Sequence, residues 1–232
     1  MRIRYAKRGR LRFTSHRDFS RAFERAIVRA RIPMAYSSGF NPHPRISYAG
    51  ASPTGAASEA EYLEIALAQE ADARQVATAL DAALPTGLDV LEVVVSAGGA
   101  LAERLEASQW RLTLSEATTV AAGAAVSAFL AADEVVVERM TKKGLRQFDC
   151  RAAVVSLTSR AAPENGEECA ILELVLRHGT PSVRPDDVLA GLREIAGLEA
   201  GTAPLHERLA QGPLDPQTGT VGDPLAPDRD AV

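Results

Sequence analysis

The order in which two hydrophobic periods alternate constrains this chain more than any other feature. Some segments repeat apolar residues at every second position, others at every third to fourth, in the order strand, helix, strand, strand, helix, strand. Ile3, Tyr5, Leu11 and Phe13 alternate with basic residues over 2–13, which predicts a strand or a tight hairpin turning at Gly9. Phe19, Ala22, Phe23, Ala26, Ile27 and Ala30 fall at helical spacing on one core face. Ser15 followed by Asp18 predicts that helix's start, and Pro33 marks its end. Short strands near 34–37 and 45–49, a strand at 61–68, a helix at 71–84 and a strand at 88–96 complete the set.

A second set follows in looser form. It has a strand at 110–114, a helix at 116–131 and a strand at 134–140 that turns at Lys142-Lys143-Gly144 into 145–157. A strand at 169–177, a helix at 181–196 and a short strand at 202–209 close it. The expected fold class is therefore α+β, two tandem ferredoxin-like (split βαβ) units with antiparallel sheets. A basic unit over 1–97 precedes an acidic unit over 108–210. Residues 211–232, rich in Pro, Gly and Asp, are expected to form a disordered tail.

Charge divides the chain unequally. Residues 1–50 hold twelve Arg or Lys against two acids, Asp18 and Glu24, which leaves +10. The remaining 182 residues hold 14 basic and 28 acidic side chains, which leaves -14 and a net charge of -4. Such a split points to a polyanion, above all RNA, as the partner of the basic segment. Arg17, Arg21 and Arg25, with Arg29, recur every four residues as a stripe beside the core face of the first helix. Arg10 and Arg12 add to it from the preceding segment.

The stretch Tyr36-Ser37-Ser38-Gly39-Phe40-Asn41-Pro42-His43-Pro44-Arg45 is a stiff loop, with two prolines bracketing His43. Phe40, Asn41, His43 and Arg45 suit stacking on an unpaired base and bonding to its edge. His16 opens the basic helix, where free N–H groups favour an anion. Lys142 and Lys143 make a second small basic turn. No third ligand joins His16 and His43, so no metal site is expected. The sequence has no P-loop, no strand-linked GxGxxG and no cysteine cluster; Cys150 and Cys169 are read as buried apolar side chains. No run approaches the roughly 18 apolar residues of a membrane span, and the expected compartment is the cytoplasm.

Thr14-Ser15-His16-Arg17-Asp18 and Tyr36–Pro44, together with the Lys-Lys-Gly turn before Asp149 and Arg151, resemble an uncharacterised family of radical SAM-linked proteins. That family is encoded beside, or fused to the C-terminus of, B12-binding radical SAM proteins. The resemblance covers roughly residues 1–210 and is most specific over 10–49. It implies an accessory role beside a radical SAM enzyme. This chain lacks the CxxxCxxC motif, so no cofactor is expected in it; the partner would carry iron–sulfur, S-adenosylmethionine and cobalamin. A looser likeness, in element order only, is to CRISPR repeat-processing endonucleases, although their C-terminal glycine-rich loop is missing.

Two functions are therefore expected to compete. The first is a non-catalytic accessory protein that binds RNA or presents substrate through its basic N-terminal surface. The second is a metal-independent RNA endonuclease using His16 or His43.

Overall fold

Alternation sets the architecture of the first strand, β1 (Arg2–Lys7). Ile3 and Tyr5 point to one side of the sheet, and Arg2 and Arg4 to the other. The structure, a computed structural model, describes residues 1–141, 144–162 and 169–231. It is a mixed α+β fold with mostly antiparallel strands and, among the described residues, five α-helices. The chain divides into two units: Met1–Leu105 with the segment from Asp223 onward, and Glu106–Gly222. These limits differ from the expected 1–97 and 108–210.

In the first unit β1 is followed by a 3-10 turn (Gly9–Phe13), α1 (His16–Arg29), β2 (Ile46–Ala49), β3 (Ala57–Ile65), α2 (Ala73–Ala83) and β4 (Leu88–Val94). The strands lie in the order β4-β1-β3-β2, each pair antiparallel. Ile3 and Tyr5 meet Phe19, Phe23, Ala26 and Ile27 of α1 and Val76 and Leu80 of α2 in one core. The Tyr5 and Phe19 rings stack at 4.5 Å, only 5° from parallel. A smaller cluster of Ala49, Ala60, Tyr62, Leu101, Leu105 and Leu225 packs separately.

The expected strand or hairpin over 2–13 is shorter than its alternation suggests. The Arg8 N–H leaves the strand pattern to donate to Gly87 O at 2.8 Å, and Gly9 takes φ +53°. The chain then winds into the 3-10 turn, a conformation at Gly9 that side-chain-bearing residues rarely adopt.

In the second unit, β5 (Ala107–Leu114) and α3 (Thr119–Ala131) are followed by a separate hairpin, β6 (Val136–Thr141) and β7 (Gly144–Asp149). Then come β8 (Val154–Ala161), β9 (Ala170–Arg177), α4 (Pro185–Ala196) and β10 (Leu205–Gly212). Its sheet has the order β10-β5-β9-β8, again antiparallel. Helices α3 and α4 approach closely at Gly191. A Cβ there would stand 2.8 Å from Val135 Cγ1 and 2.9 Å from the Phe129 ring. Cys150 is buried beside it, and burial pushes its thiol pKa up to about 12.

Residues 211–231, expected to be disordered, are instead folded. Leu214 bridges Val221 around a turn in which Asp215 accepts the Gln217 and Thr218 N–H groups. Leu225 is fully buried, and α5 (Ala226–Arg229) carries the buried Asp228. Composition over this stretch counts few apolar residues. It does not register that one leucine and one carboxylate fill places prepared by distant residues. No helix among the described residues is long and apolar enough to cross a membrane.

Candidate nucleic-acid interface

The sequence around α1 fixes which of its side chains can meet a ligand. Ser15 caps the helix, its Oγ accepting the Asp18 N–H at 3.2 Å and donating to the Asp18 carboxylate at 2.7 Å. Phe19, Phe23, Ala26 and Ile27 are buried, so the helical period turns Arg17, Arg21 and Arg25 outward. All three are exposed, as are His16 and Glu24. Arg21, Glu24, Arg25 and Val28 line a shallow surface groove of about 370 Å³. Among the described residues, Arg10, Arg17, Arg21, Arg25 and Arg45 form no ion pair.

Other basic residues of the same segment are occupied. Arg2 bonds to Asp228 and Glu64, and Arg8 to Glu59 and Asp89. Arg4 Nε donates to Glu59 O, and Arg29 reaches Ala83 O at 3.4 Å. Lys7 is buried, its Nζ 3.4 Å from Pro53 O. Arg12 is half-buried, with its guanidinium carbon 4.6 Å from the centre of the Phe13 ring. The +10 segment thus contains both structural and free cations.

The loop after α1 is a small hairpin. Tyr36 bridges Pro44, the Ser37 N–H donates to His43 O at 2.9 Å, and the His43 N–H donates to Ser37 Oγ at 3.0 Å. At its base the Arg45 N–H donates to Ala35 O and the Ala66 N–H to Arg45 O. Gly39, at φ +135°, lets the tip reverse. Phe40 at that tip is fully exposed, and Asn41, His43 and Arg45 are exposed with it. An aromatic ring held in water on a braced backbone is suited to stacking on a ligand.

The loop leads into β2, where Tyr48 meets the His16 ring edge-on at 4.8 Å. Burial pushes the Tyr48 hydroxyl pKa up. The His16 ring meets Tyr48 and the His43 backbone pairs with Ser37, and no hydrogen bond or ring contact among the described residues joins the two histidines. No cluster of three or more His, Cys, Asp or Glu among the described residues is arranged to hold a metal ion. Lys142 and Lys143 lie outside the described residues. The β6–β7 hairpin is anchored by Arg139, which donates to Asp187 at 2.5 Å and to Ser182 O at 3.0 Å.

Two exposed aromatic residues were not legible as part of this surface. Phe13 reads in sequence as the last inward residue of an alternating strand, yet its ring is 59% exposed. Tyr36, at the base of the loop, is 52% exposed. Gly9 was the available signal for Phe13, since a turn there ends the alternation.

These features define a mixed α+β protein whose first unit exposes Arg10, Arg17, Arg21, Arg25 and Arg45 and the ring of Phe40. Residues 1–185 match the family described as an uncharacterized protein conserved in bacteria (DUF2344), and the chain belongs to that family. No curated protein matches the sequence. Among solved structures, an unknown protein from Galdieria sulphuraria is similar at 15% identity and a TM-score of 0.25, over 89% of this chain and 96% of that one.

Proposed function

We propose that this chain is a non-catalytic accessory protein that binds RNA through its first unit and works in the cytoplasm beside a radical SAM enzyme. The observation that carries the RNA reading is Phe40, fully exposed on a braced hairpin in a segment where Arg10, Arg17, Arg21, Arg25 and Arg45 form no ion pair among the described residues. Arg10, Arg17, Arg21, Arg25 and Arg45 would neutralise phosphates, which supplies affinity without sequence preference. Phe40 would stack on a base, with Asn41 and His43 reading its edges. The two units are read as tandem ferredoxin-like modules. The orders β4-β1-β3-β2 and β10-β5-β9-β8 support this, with the β6–β7 hairpin an insertion in the second. The radical SAM partner rests on the motif resemblance of residues 14–18 and 36–44, and any iron–sulfur, S-adenosylmethionine or cobalamin chemistry belongs to that partner.

The test is RNA affinity as a function of salt. Five free arginines on phosphates give a log–log slope of roughly -3 to -5. A slope near zero, or no binding at low salt, overturns the reading. Specific RNA cuts that disappear in His16→Ala would replace it with the endonuclease.

A further inference from the structure

We infer that Arg12 and Phe13 form a second base-stacking platform and that the nucleic acid taken by this unit is single-stranded, an inference that rests on the RNA-binding reading above. The distribution of aromatic rings carries it. Phe13, Tyr36 and Phe40 are the exposed aromatic residues of the described chain, and all lie between positions 13 and 40. The other aromatic rings are buried, apart from the half-buried Tyr48. Singly exposed apolar residues are ordinary on a protein surface. Three aromatic rings confined to the segment that also holds the free arginines are a different matter. Aromatic rings interleaved with cations are the composition of surfaces that bind unpaired strands.

The local geometry of Phe13 fits this use. The 3-10 turn is held at several points: Leu11 N–H to Arg8 O at 3.1 Å, Thr14 N–H to Leu11 O at 2.9 Å, and Gly55 N–H to Arg12 O at 2.8 Å. With three residues per turn, positions 10 and 13 eclipse, so Arg10 and Phe13 share one side while Leu11 packs against the core. An exposed guanidinium therefore shares a side of the turn with a largely exposed ring. The Arg12 guanidinium lies over that ring, and its Nε is buried without a hydrogen-bond partner among the described residues. The pair offers a flat, polarisable surface, and bases stack on both aromatic and guanidinium planes. Bases inside a duplex are already stacked on both faces, so such a platform gains nothing from paired RNA.

The experiment is fluorescence anisotropy of the full chain with a labelled RNA of about 12 nucleotides, within the span of one small binding fold. The same sequence is also offered as a blunt duplex. Phe13→Ala weakens binding of the single strand roughly 5- to 100-fold, and Phe13→Tyr retains most of it. The duplex binds both variants as it binds the wild type, and the melting temperature is unchanged. Equal single-strand affinity for Phe13→Ala and wild type, with Arg17→Ala still weakening both RNAs, overturns this inference while leaving RNA binding in place. A clear fall in melting temperature for Phe13→Ala also overturns it, because the ring is then structural. Absence of binding to either RNA removes the underlying reading as well.

Discussion

The arginines of β1 and those of α1 are the same side chain in nearby positions, put to opposite uses. Arg2 is fully buried and uses its whole set of five donors. Nε donates to Glu64, Nη1 to both Asp228 oxygens at 2.7 and 2.8 Å, and Nη2 to the Gly98 and Gly99 carbonyls. Arg104 also bonds to Asp228, at 2.8 Å, and to Pro224 O. Arg17, Arg21 and Arg25 are exposed and make no ion pair among the described residues. A charge count over residues 1–50 treats these groups alike. The structure separates cations that hold the unit together from cations available to a ligand.

The largest effect that can break this comparison lies at Asp228. Asp228→Asn leaves the Arg2 guanidinium buried without its full counter-charge and costs about 3–5 kcal/mol of stability by chemical denaturation. The RNA affinity of the protein that remains folded stays at the wild-type level. Acid sharpens the test. Burial alone would raise the Asp228 pKa, but hydrogen bonds from Arg2, the Ala97 N–H and Arg104 outweigh it and hold the carboxyl below its ordinary value. A depressed carboxylate stabilises the fold above the unfolded-state pKa of about 3.9, and that contribution is lost as pH falls through the lower folded value. The gap between wild type and Asp228→Asn should therefore hold at neutral pH and narrow only below about pH 4. A gap that is constant into strong acid would mean that the ion pairs are not its source.

Phe40→Ala comes next. It should weaken RNA binding by about 1–3 kcal/mol and leave stability within about 0.5 kcal/mol of wild type. A large drop in melting temperature would assign the loop to packing rather than to recognition. The smallest effect belongs to the α1 stripe. Arg21 has like charges four residues away on each side, so Arg21→Ala should raise stability by a few tenths of a kcal/mol. The same change should reduce the salt slope of RNA binding by about 0.7–0.9, the share of one phosphate contact. Loss of stability without a change in slope would move Arg21 into the structural group.

What sequence revealed depends on how far away the deciding contact lies. The core face of α1 was legible from Phe19 to Ala30, because a helix's period is set by neighbours three and four positions apart. The Ser15 cap was legible for the same reason, its partner being Asp18. The end of β1 was not, since it depends on the Gly87 carbonyl. The folded state of residues 211–231 was hidden for a stronger version of that reason: nothing near Asp228 indicates a buried arginine at position 2. At the candidate site, the exposed arginines of α1 followed from the helical period. The roles of Arg2 and Arg8 did not, because their carboxylate partners lie in other strands and in α5.

The bond between Arg2 and Asp228 also sets an order in time. The two residues stand 226 positions apart. A ribosome makes the second unit, residues 106–222, after Arg2 and before Asp228. Until the carboxylate arrives, the first unit has a guanidinium in its interior with Glu64 as its charged partner. The second unit is able to assemble from a continuous stretch of chain while the first waits for its closing piece. The segment from Asp223 onward, made after the second unit, thus completes the unit begun before it.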